Sequence, residues 1–258
     1  MYSKEAEKFV ASNILEGMTS ISALLKAREN QTNDRKIIKI LYNEKKIQKN
    51  RREFSFIRKM SEIHGFELET VPPEVIEANT IGNTHGGVIA YCTERLIPLL
   101  KDAEIENNGF FFFLEGIEDP YNFGYSLRSI YASGADGVIL PPRNWMGAAG
   151  VVARASAGAS ELMKMYIAEP EEAIRLFRAK KYMIYCADKP NSVSIFDTEL
   201  KKPLVMFIGG EKRGNSKPIL DAADKIVRID YGRDFPAALS AASAATIIAF
   251  EVMRQNRK

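Results

Sequence analysis

The sequence predicts an α/β protein in two segments, the second built on a mostly parallel sheet. Three observations predict it. Short apolar runs alternate with helical patterns along the chain. In the second half these runs, Phe110 to Leu114 (FFFFL) above all, are apolar at consecutive positions, as strands buried on both faces are. Between the halves lies Lys101 to Gly109 (KDAEIENNG), polar and turn-rich, which reads as a linker.

Taken in order, the first segment opens on a helical pattern, with Ala6, Phe9, Val10, Ile14 and Leu15 at helical spacing. A strand follows at Ile37 to Tyr42, then a basic helix over 49–64 and a strand near Phe66 to Val71. Pro72 and Pro73 end that strand before a short helix, Glu74 to Ala78, and a glycine-bounded strand, Gly87 to Cys92, closes the segment. The second segment supplies further strands at Gly137 to Leu140, Met165 to Ala168, Tyr182 to Ala187, Leu204 to Ile208 and Lys225 to Ile229. A last helix is expected from Pro236 to Arg254, with Asp234 as its N-cap and Pro236 in its first turn.

Composition narrows the classes. The chain of 258 residues is 46% hydrophobic and 27% charged, the balance of an ordinary globular protein. Its longest weakly polar stretch, Ala237 to Phe250, is too short to span a bilayer. The N-terminus (MYSKEAEKF) lacks the apolar core of a signal peptide. Two cysteines, Cys92 and Cys186, provide neither a disulfide framework nor a metal-binding pair. A cytoplasmic protein with no membrane segment and no metal is expected. Net charge is only +3, yet between Lys26 and Lys59 twelve Lys or Arg face four acids. That run reads either as a solvated helix face or as a footprint for a polyanion such as RNA.

Familiar catalytic motifs are missing. No GxGxxG follows a strand, and the run Gly209 to Ser216 has Asn215 where a P-loop needs Lys to neutralise terminal phosphates. With His64 and His85 the only histidines, and neither HExxH nor GxSxG, metalloprotease and hydrolase readings are poor.

Three constellations remain. The first, Leu114 to Arg128 (LEGIEDPYNFGYSLR), runs from a strand through a turn into a helix, where Asn122 could simply be the cap and Arg128 a solvated charge. The second, Gly209 to Ser216, is either a plain strand-to-helix turn or a loop whose backbone approaches a ligand at the carboxyl end of a strand. The third, Ile229 to Ser240, leads into an Ala-rich helix suited to close internal packing or to a dimer interface.

Together the three resemble the SpoU (TrmH-like) RNA ribose 2′-O-methyltransferases of the SPOUT superfamily, over roughly residues 108–258. Asn122, Gly124 and Arg128 match the family's E-D-P-x-N-x-G-x-x-x-R motif, Gly209, Glu211 and Gly214 its G-x-E-x-x-G, and Ile229 and Leu239 its third motif. The small-residue run Ala155 to Ala159 is also similar, and Thr84 to Ala90 (THGGVIA) resembles the strand closing the L30e-like domain of many members. The resemblance implies an L30e-like RNA-binding domain over 1–103. It also implies a SpoU-type methyltransferase domain over 104–258, its parallel sheet threaded into a trefoil knot that nothing in periodicity predicts.

The implied activity is methyl transfer from S-adenosylmethionine to a ribose 2′-OH of RNA, with rRNA favoured over tRNA and a 23S rRNA guanosine among the candidate targets. A tRNA enzyme, a catalytically inactive RNA-binding homologue in ribosome assembly, and a nucleotide-binding protein using the Gly209 loop are the alternatives. Gly209, Gly210, Gly214, Ile229 and Leu239 would contact the cofactor. Arg128, Asn122, Glu211 and Ser240 would form the catalytic set, with Asn122 orienting Arg128 and Glu211 holding the loop or pairing with Arg128. A free guanidinium titrates above about 12, so Arg128 is read as a phosphate clamp before a base. Lys45, Lys46, Lys49, Arg51 and Arg52 become an RNA face, with Arg233 a further phosphate contact; His85 is read as structural. A homodimer is implied. The third motif departs from the family: Ala238 and Ser240 stand where Ser and Asn are common, and Asp230 and Tyr231 replace Pro and Met.

Overall fold

The computed structural model describes residues 13–80, 85–142, 148–210 and 214–257. Its elements run β1 (Ile14–Glu16), α1 (Gly17–Glu29), β2 (Ile37–Asn43), α2 (Arg51–His64), β3 (Glu67–Val71), α3 (Pro73–Ala78), β4 (Val88–Cys92), β5 (Phe110–Glu115), α4 (Pro120–Ala132), β6 (Gly137–Leu140), α5 (Ala149–Ala155), α6 (Ala159–Leu162), β7 (Met165–Ile167), α7 (Pro170–Ala179), β8 (Met183–Ala187), β9 (Val193–Ser194), β10 (Leu204–Gly209), α8 (Lys217–Ala222), β11 (Lys225–Arg228) and α9 (Ala241–Asn256). They form two compact units, one drawn from residues 1–96 and 144–162, the other from 97–143 and 163–258.

The first unit holds a four-stranded sheet in the order β1-β4-β2-β3, with β2 and β3 parallel and the other pairs antiparallel. The helix expected through Ile14 and Leu15 is not there. These residues extend along β4, Ile14 opposite Tyr91, and the helix begins only after Gly17 turns the chain at φ 81°. Pairing with an open sheet edge outweighs the local helical spacing; the rest of that expected helix lies outside the described residues. Leu15, Ile21, Leu24, Ile40, Ile57, Val88 and Ala90 make the core, joined by Ala153 of α5. Residues 148–162, which the linear reading places in the second domain, are held here by buried charge. The Arg35 guanidinium lies 3.4 Å from Glu161 Oε1, and Asn33 Nδ2 donates to Glu161 Oε2 at 2.7 Å. The turn at Ala157 and Gly158 seats α6 on α1, where a Cβ on Gly158 would come within 2.5 Å of the Ala23 methyl. His85 is buried, and its Nδ1 accepts the Gly87 amide at 3.1 Å to close the turn before β4.

The second unit is a seven-stranded sheet in the order β7-β6-β5-β10-β8-β11-β9, every pair parallel. The Phe-rich run is β5, paired over six positions with β10. Phe113 stacks on Phe207 across that pair at 4.9 Å between ring centres, and Phe111 meets Phe177 of α7. The stretch read as a linker is tied into this core. Leu100 and Ile105 are buried in it, and the Tyr182 hydroxyl donates to Glu106 O (2.6 Å) while accepting the Gly109 amide (2.8 Å).

Two helix starts differ from expectation. Asp119, not Asn122, caps α4: its carboxylate accepts the Tyr121 and Asn122 amides, each at 3.2 Å, and Pro120 supplies the preset φ of the first turn. The last helix starts at Ala241, not Pro236, with Ser240 instead of Asp234 as its N-cap. Residues 229–239 stay irregular because the Tyr231 hydroxyl accepts the Leu239 amide at 3.1 Å, folding that loop on itself. Among the described residues no helix is long and apolar enough to cross a membrane.

Candidate functional site

Parallel sheets present their ligands at the carboxyl ends of their strands. Here β10, β8 and β11 are neighbours, and the segments leaving all three, with the start of α9, enclose a cavity of about 740 Å³. A cavity of that volume suits a nucleoside-sized molecule.

The β10 exit is built from backbone. A Cβ on Gly209 would lie 2.1 Å from the Gly214 carbonyl carbon, so only glycine lets the two segments meet. Gly210 and Gly214 then exchange amide-to-carbonyl bonds at 3.1 and 3.0 Å, closing a tight loop. The same loop touches the first motif, for a Cβ on Gly210 would sit 2.6 Å from Gly116 O. Two side chains pin it. Glu115, at the end of β5, accepts the Ser216 amide at 2.7 Å, and Asn215 Nδ2 donates to Ala187 O at the end of β8, also at 2.7 Å. Asn215, which rules out a P-loop on chemical grounds, is therefore a clamp between adjacent strand ends.

The β8 exit contributes Asp188 and Lys189. The Asp188 carboxylate accepts the Lys189 amide at 2.7 Å, and the Lys189 ammonium lies 5.7 Å from the Tyr231 ring centre. Burial pushes the Cys186 thiol behind them up to about 12, with the carboxylates of Asp188 and Glu115 adding to the rise. At the β11 exit Arg228 pairs with Asp230 at 2.8 Å. A hydrogen bond from Ser194, and then Arg228, hold the Asp230 carboxyl below its ordinary value. The walls are Ile195, Ile208, Ile229, Leu239 and Ile248.

Five residues read as cofactor contacts, Gly209, Gly210, Gly214, Ile229 and Leu239, all line this cavity, and so does Ser240. Ser240 Oγ is engaged in capping, accepting the Ser243 amide at 3.2 Å. Asn122 and Arg128 sit on α4 outside the lining, six residues apart and hence about 120° apart around the helix. Arg128 is exposed and bonds to no described residue, Asn122 included. Glu211 lies outside the described residues. Arg233 borders a shallower cavity of about 470 Å³ that shares Ile229, Tyr231 and Leu239 with the first. In the first unit, Lys45 and Lys46 occupy a 3-10 turn, Lys49 follows it, and Arg51 and Arg52 open α2. Lys46 is partly used at home, its ammonium donating to Gly86 O at 2.8 Å. Sequence reasoning did not single out Asp188 and Lys189, and it named Tyr231 only as a departure from the third motif. For the first two the signal was present, since both directly follow a strand of a parallel sheet.

Comparisons with known proteins place the chain among its relatives. The model of the SpoU rRNA Methylase family matches residues 109–250, more than half of the chain. A Staphylococcus haemolyticus protein named within the TrmH family of tRNA/rRNA methyltransferases is 30% identical over 74% of this chain and 78% of its own. The 23S rRNA (guanosine-2′-O-)-methyltransferase RlmB of Shewanella oneidensis is 25% identical over 75% and 80%. Among solved structures, an AdoMet-bound rRNA methyltransferase from Sinorhizobium meliloti has the same fold (TM-score 0.77, 21% identical, covering 99% of this chain and 96% of that one). So does the SpoU methyltransferase AviRb of Streptomyces viridochromogenes in complex with AdoMet (TM-score 0.74, 19%, 98% of each). With its family model spanning residues 109–250 and a relative 30% identical over 74% of the chain, the chain belongs to the SpoU rRNA methylase family.

Proposed function

We propose that this protein transfers a methyl group from S-adenosylmethionine to a ribose 2′-OH of RNA in the cytoplasm, with rRNA as the substrate class. The observation that carries the reading is the cavity at the ends of β10, β8 and β11, where the motif residues Gly209, Gly210, Gly214, Ile229 and Leu239 meet. Its lining fits the cofactor: glycine backbone that admits close approach, apolar walls for a purine, and the polar groups of Asp188 and Tyr231 for hydroxyl and amino functions. When bound, that cofactor supplies an electrophilic methyl group on a cationic sulfur. The chain's own residues position the acceptor and exclude water. Arg128, exposed on α4 with a side chain that bonds to no described residue, is suited to clamp an RNA phosphate and stabilise charge developing at the hydroxyl. The names of the relatives favour rRNA without excluding tRNA. A homodimer is part of the same reading, supported by the exposed Tyr121, Tyr125 and Tyr131 on α4 and Phe250 on α9, which sedimentation would test.

The deciding experiment is transfer of labelled methyl groups from S-adenosylmethionine to rRNA and tRNA presented separately, with Arg128→Ala beside the wild type. Label in rRNA that falls at least about a hundredfold in the variant, with cofactor affinity unchanged, is the expected result. Label confined to tRNA moves the substrate class. No label in either, from a protein that binds S-adenosylmethionine, favours the second reading, an inactive RNA-binding homologue. That reading is supported by Ser240 standing where the family commonly has Asn, its hydroxyl engaged in capping.

A further inference from the structure

Helix α2 turns one face to the core and another to solvent, and the solvent face has an unusual composition. Phe54, Ile57 and Met60 pack into the first unit's core, Ile57 completely. On the opposite side Arg52, Phe56, Lys59 and Ile63 follow at intervals of four, three and four residues, one stripe down the helix. Phe56 and Ile63 are 41% and 59% exposed. The acids of this helix are already engaged: Glu53 accepts the Tyr42 hydroxyl at 2.9 Å, and Glu62 faces Arg58 at 3.6 Å. Arg52 and Lys59 bond to no described residue. The stripe thus presents an exposed aromatic ring between two cations that no described residue pairs, about 10 Å apart along the axis.

A protein partner would be expected to meet this apolar surface with acids at both ends. An unpaired RNA strand meets it with what every strand carries, a base to lie on the ring and phosphates on either side. A duplex offers its phosphates but keeps its bases stacked inside. We propose that the Arg52, Phe56, Lys59 stripe of α2 is a single-stranded RNA site, with Phe56 as a stacking platform for an unpaired base of the substrate. It rests on RNA being the partner, and it adds which structure of RNA the first unit selects and which residue selects it.

The test measures affinity of the full chain for a labelled oligouridylate and for a duplex RNA of equal length, across a salt series. Phe56→Ala is expected to weaken oligouridylate binding about tenfold or more, leaving the duplex affinity and the salt slope unchanged. Phe56→Tyr keeps wild-type affinity. Arg52→Ala and Lys59→Ala each reduce the slope of log affinity against log salt by about 0.7. Phe56→Trp provides a direct signal, because stacking quenches its fluorescence on adding oligouridylate. The proposal is overturned if Phe56→Ala binds oligouridylate like the wild type, if it weakens both RNAs equally, or if Phe56→Trp shows no quenching. A wild type that binds neither RNA overturns the RNA reading itself.

Discussion

Single positions around the cavity are where this sequence is least forgiving. Gly209 has no room for a methyl group, since the nearest backbone atom would be 2.1 Å away and belongs to the Gly210 to Gly214 loop closure. Gly232, in the loop after β11, has nothing within 4 Å of the same position. The two therefore separate backbone approach from glycine as a loop residue. Gly209→Ala is expected to open the loop and lower S-adenosylmethionine affinity at least about tenfold by calorimetry, whereas Gly232→Ala leaves it unchanged. Equal affinities in the two variants would mean that the loop closure does not shape the site. Gly209 and Gly214 were legible in the sequence because their spacing matches a family pattern, while Gly210 falls on one of its open positions. Asn215 was legible only as a missing lysine: its bond to Ala187 O depends on β8 lying beside β10, which no local pattern states.

At the scale of elements, α9 shows how a helix start and a site edge can be one feature. Four of its seven buried residues are alanines, Ala241, Ala242, Ala245 and Ala249, and it packs along α4, where Thr246 donates to Ser129 Oγ at 2.7 Å. Ser240 ends the cavity loop and caps the helix at the same time. Ser240→Ala should therefore cost about 1 kcal/mol in denaturant unfolding, while Ser240→Asn, an equally good cap and the residue common in the family, should not. If methyl transfer rises in Ser240→Asn with stability unchanged, the side chain acts at the site as well as in the cap. The expectation of a helix from Pro236 went wrong for a physical reason. Asp234 and Pro236 form a good local start signal, but the hydrogen bond from the Leu239 amide to Tyr231 holds those residues in the loop. Ile14 and Leu15 fail similarly, helical in spacing but drawn into a strand by the free edge of β4. The long apolar strands of the parallel sheet were readable because burial on both faces leaves its mark at every residue. Short edge strands and loop-held segments take their structure from partners distant in sequence.

Across the whole molecule, each compact unit buries one free cysteine, Cys92 in the first and Cys186 in the second. Burial pushes both thiols from an ordinary 9.0 up to about 12. Tyr42, in the first unit, rises from 10.0 to about 12, through burial first and its bond to Glu53 second. All three are raised in the folded state, so the unfolded chain releases these protons at lower pH than the native one. Their contribution to stability is complete below about pH 9 and is lost as pH climbs from there toward 12. Chemical unfolding followed between pH 7 and pH 11 should show this fall in both units. Cys186→Ala should lower stability in the second unit by a constant amount at every pH, through the lost packing, and flatten its alkaline decline. The first unit, which keeps Cys92 and Tyr42, should decline as in the wild type. If the variant's second unit fell as steeply as the wild type's, the alkaline loss would have to come from its other buried acids, of which Tyr182 and Tyr185, both raised by burial, are the next to replace.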